Sequence, residues 1–385
     1  MRICRAARQT FTEGEPRPGR ATKCARVWQN GVVNDALPTD SARLFEVAIE
    51  ALPASVVNVF EGIDRLLYFR LPLKNKFRRI TVRDGLILRG PGGWAEVSPF
   101  WDYDARESAQ WLRAGLEAAR SEPLPRKREA VPVNATVPVV DPQVAFDIVK
   151  NSGGARTVKV KVADPNSTIS EDCARIEAVR DALGPTGQIR VDANAAWDVP
   201  QALAAIRELN RACQSGGGAD LEYVEQPCAT VEELARVRQQ VSVRIAADES
   251  VRRASDPLAV ARAEAADLVI VKVQPLGGAK RLIDVVARAG LPAVVSSALD
   301  SSVGLARGVE CAAALDELPF ACGLATAQMF TADVTKTPLR PVGGMIAPRE
   351  IEIDEAAVSF LPHSRGEAAH LTRWLDRLEE MVHCL

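Results

Sequence analysis

The stretch Thr157-Val158-Lys159-Val160-Lys161-Val162 decides how the chain is read. It has the β-branched, apolar character of a buried strand, yet it carries two lysines two residues apart. In a strand, residues i and i+2 point to the same face, so both ammonium groups project into whatever that face covers. An isolated pair of this kind reads as a solvated edge. The downstream sequence argues otherwise, because apolar strands recur and end in charge: Asp192-Ala193-Asn194, Glu225-Gln226-Pro227, Asp248-Glu249-Ser250, Lys272 and Ser296-Ser297.

Counting from Lys161 to Lys272, the charged ends fall 31, 33, 23 and 24 residues apart, each about one βα unit. The apolar strands are expected at 157–162, 189–191, 221–224, 243–246, 268–273, 293–295 and 320–324. Helix signals fill all gaps but the last. Ser170 is read as the cap of 171–183, and Thr230 with Glu233 as a capping box for 231–240. Ser255 is read as opening a helix, Gly278 as preceding one that ends at Gly290, and Ser302 as preceding one that ends near Leu315. Repeated βα units imply a parallel sheet, and this many suit a closed (β/α) barrel of the TIM type. No GxGxxG turn follows the first strand, which agrees.

Upstream lies a different unit. Segments 67–71, 80–82 and 86–89 read as short strands, with turn signals at Arg83-Asp84-Gly85 and Gly90-Pro91-Gly92-Gly93, followed by a helix over 104–120. The expected organisation is an extension over 1–55, an α+β capping domain over 56–130, the barrel over 131–345, and a segment 346–385 packing on barrel or cap. The first 26 residues hold seven Arg or Lys without an apolar run, so they read as a disordered tail rather than a secretory signal. Residues 41–52 have an amphipathic helical pattern.

Composition bounds the function. The chain has 385 residues, 47% hydrophobic and 25% charged, with a formal net charge of −2. This gives no electrostatic case for nucleic acid or an anionic membrane, and no run approaches a membrane span. The eight cysteines lack metal-finger spacing and read as small core residues of a cytoplasmic protein. The three histidines all lie beyond residue 360, so a histidine base or a histidine-rich zinc site is not expected in the body of the chain.

In a (β/α) barrel the chemistry sits at the C-terminal ends of the strands. Three carboxylates meeting there repel unless a cation neutralises them. Oxygen donors without His or Cys point to a hard ion, Mg2+ first and Mn2+ second. Such an ion holds a substrate carboxylate and stabilises the enediolate formed when an α-proton leaves. A lysine beside a second lysine has its free amine favoured and can serve as the base. A Lys or His base paired with Mg2+ is known to perform this chemistry. At the strand ends Glu222 and Glu249 compete with Glu225 and Asp248 as ligands; parity puts Glu222 and Glu225 on opposite faces.

Taken together, the KxK, DxN, ExP and DES elements and the later lysine resemble the muconate-lactonising subgroup of the enolase superfamily. Within it, the stretches 93–100, 133–138, 221–228, 246–250, 271–278 and 295–297 resemble the actinobacterial o-succinylbenzoate synthases. The resemblance covers about residues 65–345. It implies Asp192, Glu225 and Asp248 as metal ligands, Lys161 as the acid/base, Lys159 as the neighbour that lowers its pKa, and Lys272 as the lysine on the opposite face. The implied reaction is the dehydration of 2-succinyl-6-hydroxy-2,4-cyclohexadiene-1-carboxylate to 2-succinylbenzoate in menaquinone biosynthesis. The expected partner is a small carboxylate substrate, and nothing chooses between monomer and homo-oligomer.

Other positions are expected around the substrate. Asn194 reads as a partner of Asp192 or as a turn residue, and Gly277 as a backbone approach to substrate or a turn. Ser296, Ser297 and the helix start Ser301-Ser302-Val303-Gly304 read as binding the succinyl carboxylate through N–H groups or as plain helix capping that needs no ligand. Trp94 and Phe100 read as cap residues over the pocket or as core. The competing functions are an N-succinylamino acid racemase, a dipeptide epimerase or a muconate cycloisomerase on the same scaffold, and, more remotely, an inactive binding scaffold. A mandelate-racemase-type enzyme is disfavoured because no histidine falls on a late strand.

Overall fold

The lysine run forms the strand Thr157–Lys161, paired in parallel on both sides. The computed structural model describes residues 41–253, 256–362 and 364–385. Seven parallel strands make one sheet, in the spatial order 135–137, 157–161, 188–192, 224–225, 245–247, 268–271 and 293–295. Ala135–Val137 therefore supplies the first barrel strand, and the lysine pair stands on the second; Val131–Pro132 just before it pairs with Met345–Ile346 in a separate two-stranded ribbon. The run expected at 320–324 closes the ring by single bridges, Cys322 to Val133 and Gly323 to Ser296. Backbone bonds from Cys322 N to Pro132 O (2.7 Å) and from Gly323 N to Val295 O (2.9 Å) seal that seam.

The strands are apolar on both faces because helices cover the outside and side chains fill the inside. Val158, Val160, Ile189, Val191, Ile270 and Val271 are all fully buried. Thr230 caps Val231–Arg238 with the expected reciprocal bonds to Glu233. Helix Ile169–Leu183 is capped by Thr168, not Ser170, because Glu171 sits three residues after Thr168 and completes a capping box. Ser301 rather than Ser302 caps Ser302–Ala314. The helix start expected at Ser255 falls outside the described residues, which there hold only the short helix Ala259–Arg262.

The capping unit departs further from expectation. Arg83-Asp84-Gly85 is not a turn: Ile80–Gly90 is one continuous strand paired with Arg65–Phe77. Gly85 is there for close packing, since a Cβ would lie 2.6 Å from Ser98 Cβ and 2.7 Å from the Phe69 ring. Residues 41–52 do not form the amphipathic helix. Arg43–Val47 is a strand, paired antiparallel with the 65–77 strand and parallel with Val358–Ser359. Backbone pairing overrides the helical pattern, so Arg43–Val47 belongs to the capping sheet rather than to the extension; residues 1–40 lie outside the described residues.

The C-terminal segment packs on the cap. Its helix Arg365–Val382 lies against the cap helix Ala105–Arg120. Trp374, fully buried, donates its indole N–H to Asp84 (2.9 Å), and Arg377 donates to the carbonyls of Pro99 (2.9 Å) and Phe100 (2.6 Å).

Candidate active site

Strand register assembles the charged cluster. Lys161 is the cross-strand partner of Asp192, Asp192 of Glu225, and Glu225 of Ala246. Asp248 lies two residues beyond Ala246 and so shares the parity of Glu225. Lys272 lies two beyond Ile270, on the strand next to it. All of these side chains thus face inward at the C-terminal end of the barrel. Lys159, Asp192, Glu225, Asp248 and Lys272 are each less than a tenth exposed.

The contacts form two linked groups. Lys159 Nζ lies 3.0 and 3.1 Å from the two Glu225 oxygens and 3.2 Å from Asp192 Oδ2. Lys161 Nζ donates to the same Asp192 oxygen and to Asn194 Oδ1 at 2.8 Å. Across the barrel mouth, Lys272 Nζ lies 2.6 Å from Asp248 Oδ2, and Arg252 Nε lies 2.9 Å from Asp248 Oδ1. Gln226 fixes the Asp248 backbone by accepting from its N–H at 2.9 Å and from that of Ser250 at 3.2 Å. Glu222 points elsewhere, bonded to Arg190, as parity requires.

Proton affinities follow from these contacts. Burial pushes the Lys161 ammonium down, and Lys159 adds to that effect against the pull of Asp192. Burial likewise lowers Lys272, with Arg252 and Lys159 reinforcing it. Burial also opposes charge on Lys159, but Glu225 and Asp192 outweigh it and hold that amine protonated. Burial and the Asp192 carboxylate push Glu225 up to about 8. Asp248 falls to about 2, because Arg252 and Lys272 outweigh its burial.

The cluster suits a hard divalent cation by its donor chemistry: three buried carboxylates from adjoining strands, with no His or Cys. Beside Asp248, Glu249 Oε2 is buried and accepts no hydrogen bond, so the cluster holds an acceptor that its own cations do not satisfy. Among the described residues, no three acidic, His or Cys side chains form a closed cage; Lys159 Nζ bridges Asp192 and Glu225 instead.

A cavity of about 450 Å³, mouth included, opens over the cluster. Its wall includes Lys159, Lys161, Asp192, Asn194, Asp248 and Lys272, and on the far side Ser296, Ser297 and Thr326. Ser297 Oγ is tied to Thr326 Oγ1 (2.8 Å) and to Gly323 O (3.0 Å). Three further lining residues come from the cap: Phe77, Arg78 and Phe100. Lys161 Nζ sits 5.5 Å from the Phe77 ring centroid. The sequence reading missed Phe77, Arg78 and Arg252. The available signal for the first two was an aromatic and two arginines, Phe77-Arg78-Arg79, at a hairpin tip where small polar turn residues are the norm.

Three expectations are corrected, each toward the structural alternative. The helix start at Ser302, Val303 and Gly304 does not face the cavity, and its N–H groups are taken. Glu96 Oε2 accepts from Ser301 N (3.0 Å) and Gly304 N (3.1 Å), Asp333 accepts from Ser302 N (3.2 Å), and Ser301 Oγ accepts from Val303 N (3.2 Å). Gly277 is a left-handed helix end (φ 88°) pressed against the cap, where a Cβ would lie 2.7 Å from Gln110 Oε1. Trp94 does not line the cavity; its ring is covered by Arg65 and Arg89.

Cap and barrel are joined beside the cavity. Arg83, 1% exposed, donates to the carbonyls of Leu299 (3.1 Å) and Ala298 (3.3 Å), both cavity residues, and also to Ser98 O. Leu299 is held at φ 62°, in the left-handed region that a branched residue rarely adopts.

The family description "Enolase C-terminal domain-like" matches residues 145–357, and "Enolase N-terminal domain-like" matches 68–119. A protein named o-succinylbenzoate synthase from Thermobifida fusca is 55% identical over 288 residues, covering 74% of this chain and 88% of its own length. Another of that name from Mycobacterium ulcerans is 46% identical over 318 residues, covering 82% and 93%. The chain belongs to the o-succinylbenzoate synthase family of enolase-like proteins. Solved enolase-like structures share the fold at lower identity. The muconate lactonizing enzyme of Pseudomonas fluorescens, complexed with muconolactone, aligns with a TM-score of 0.63 at 20% identity, over 77% of this chain and 98% of that one. A dipeptide epimerase of Enterococcus faecalis, complexed with Mg and L-Leu-L-Tyr, aligns with a TM-score of 0.62 at 20% identity, over 75% and 97%. These enolase-like neighbours bear on architecture alone.

Proposed function

We propose that the protein is an o-succinylbenzoate synthase, dehydrating 2-succinyl-6-hydroxy-2,4-cyclohexadiene-1-carboxylate to 2-succinylbenzoate. The observation that carries this reading is the pair Lys161 and Lys272, facing one cavity across a cluster of three carboxylates, in a chain 55% identical to a protein of that name. Asp192, Glu225 and Asp248 would hold a divalent metal ion, Mg2+ in this proposal. When bound, it supplies positive charge against the substrate carboxylate as that group takes on negative charge.

The protein's own groups do the proton work. The Lys161 amine takes the α-proton, and the resulting ammonium returns that proton to the departing hydroxyl on the same face, so that water leaves. Its lowered proton affinity favours the free amine that the first half-step needs. Lys159 stays charged and paired with Glu225 and Asp192, which holds positive charge beside the Lys161 amine. Lys272 ammonium, aimed from the opposite strand, stabilises the negative charge that develops on the substrate. Asn194 steers Lys161 by accepting from its Nζ. Because the product ring is aromatic, the elimination runs downhill, and positioning with charge stabilisation suffices.

The test is turnover of the cyclohexadiene acid with Mg2+, read as formation of 2-succinylbenzoate, set against deuterium exchange at the α-carbon of N-succinyl amino acids. Rapid exchange without dehydration would replace the synthase by a racemase on the same scaffold.

A further inference from the structure

Five cationic side chains line the cavity, and four are committed to carboxylates. Lys159 and Lys161 pair with Asp192, and Arg252 and Lys272 with Asp248. The fifth, Arg78, has no carboxylate partner among the described residues. It stands at the tip of the cap hairpin joining Arg65–Phe77 to Ile80–Gly90. Both tip residues occupy the left-handed region, Arg78 at φ 45° and Arg79 at φ 67°, a conformation that costs free energy without glycine. The Arg78 guanidinium is not loose in solvent: its Cζ lies 4.6 Å from the centroid of Phe100, another cavity residue. That ring is itself seated on Arg83, whose Cζ is 4.2 Å from the same centroid.

A ligand with two carboxylates needs a second counter-charge away from the acid/base lysines. The helix start at Ser302–Gly304 cannot provide it, because Glu96 and Asp333 already occupy its N–H groups. We infer that Arg78 receives the distal carboxylate of a dicarboxylate ligand, so that the enzyme reads its substrate as a diacid between the barrel lysines and the cap hairpin. A planar guanidinium suits that role, since its fork matches both carboxylate oxygens, and stacking on Phe100 fixes the plane in advance. The identity of the diacid, with its distal group at the succinyl end, rests on the synthase reading; the charge argument does not.

The experiment compares the whole protein with Arg78→Ala and Arg78→Lys in Mg2+, measuring calorimetric Kd for 2-succinylbenzoate and for its monoamide at the aliphatic carboxyl. The wild type should bind the diacid about tenfold more tightly, the scale of one charge-assisted contact near solvent. Arg78→Ala should bind both alike, and Arg78→Lys should fall between. In turnover the Arg78→Ala loss should appear in KM more than in kcat. Arg78 is exposed, so unfolding midpoints should barely move. A wild type without diacid preference, or an Arg78→Ala variant that keeps it, overturns the inference. Diacid preference that depends on Arg78 in a protein that fails to dehydrate the cyclohexadiene acid removes the synthase reading and leaves this one standing. Turnover with an unchanged ratio in Arg78→Ala does the reverse.

Discussion

Replacing Glu96 by alanine tests whether the cap holds the barrel loop beside the cavity. Glu96 is 3% exposed and reaches from the cap strand Gly93–Val97 to the start of the barrel helix Ser302–Ala314. Its removal strips the acceptor from four donors: the N–H groups of Ser301 and Gly304 and the hydroxyls of Ser301 and Ser98. The hydroxyls keep other partners only as acceptors, Ser301 Oγ from Val303 N and Ser98 Oγ from Arg83, and their O–H groups can rotate toward a new acceptor. The two amides have none. At about 1–3 kcal/mol for each buried unsatisfied group, the loss is about 2–6 kcal/mol. Loss of the attraction between Glu96 and the buried Arg83 offsets the relief of its repulsion with Asp300, so the expectation stays at about 2–6 kcal/mol. Glu96→Gln keeps one oxygen acceptor and should lose less. Urea unfolding gives the stability change, and amide hydrogen exchange at Ser301 and Gly304 should speed up in the alanine variant. A Glu96→Ala protein within about 0.5 kcal/mol of wild type, with unchanged exchange at those two amides, would refute the reasoning.

Lys161→Ala should lower dehydration by about 100- to 10,000-fold, the usual worth of a general acid/base, while 2-succinylbenzoate still binds; full activity would relocate the site. Dialysis against a chelator should abolish turnover, and added Mg2+ should restore it and raise the unfolding midpoint in a concentration-dependent way. A midpoint indifferent to millimolar Mg2+ would count against the carboxylate cluster as the metal site. Burial and Glu96 push Asp300 up to about 7 from an ordinary 3.8, with Arg83 and Lys272 opposing. The folded state therefore keeps a proton that the unfolded state has released, and stability falls as pH rises from about 4 to about 7. Asp300→Asn should flatten that part of the profile of unfolding midpoint against pH; an unchanged slope would mean the proton resides elsewhere.

The catalytic cluster was legible because each member sits at a strand end, where parity and spacing are local properties of the sequence. Lys159 and Lys161 share a face by arithmetic, and Asp192, Glu225 and Asp248 follow at βα intervals. The counter-charges were not legible in the same way. Glu96 closes a helix start some two hundred residues downstream, so no local pattern reveals that the N–H groups of Ser301 and Gly304 are taken. Arg83-Asp84-Gly85 carries the residues of a turn but runs as strand, because Gly85 admits Phe69 and Ser98 while Arg83 finds a partner in the barrel and Asp84 one in the C-terminal helix. The strand at 43–47 was masked by its helical periodicity, and only its pairing with residues far along the chain defines it.

The capping sheet has a consequence for synthesis. Its strand Arg43–Val47 pairs with Val358–Ser359, and Asp84 waits for the indole of Trp374. A chain emerging from the ribosome can therefore assemble every barrel strand before the cap has its full complement of residues. During that interval the hairpin that bears Phe77 and Arg78 is tied to the barrel at Leu73 and Phe330 but still lacks the Trp374 bond at Asp84. Ligand recognition would then mature last, as a product of chain completion rather than of barrel folding.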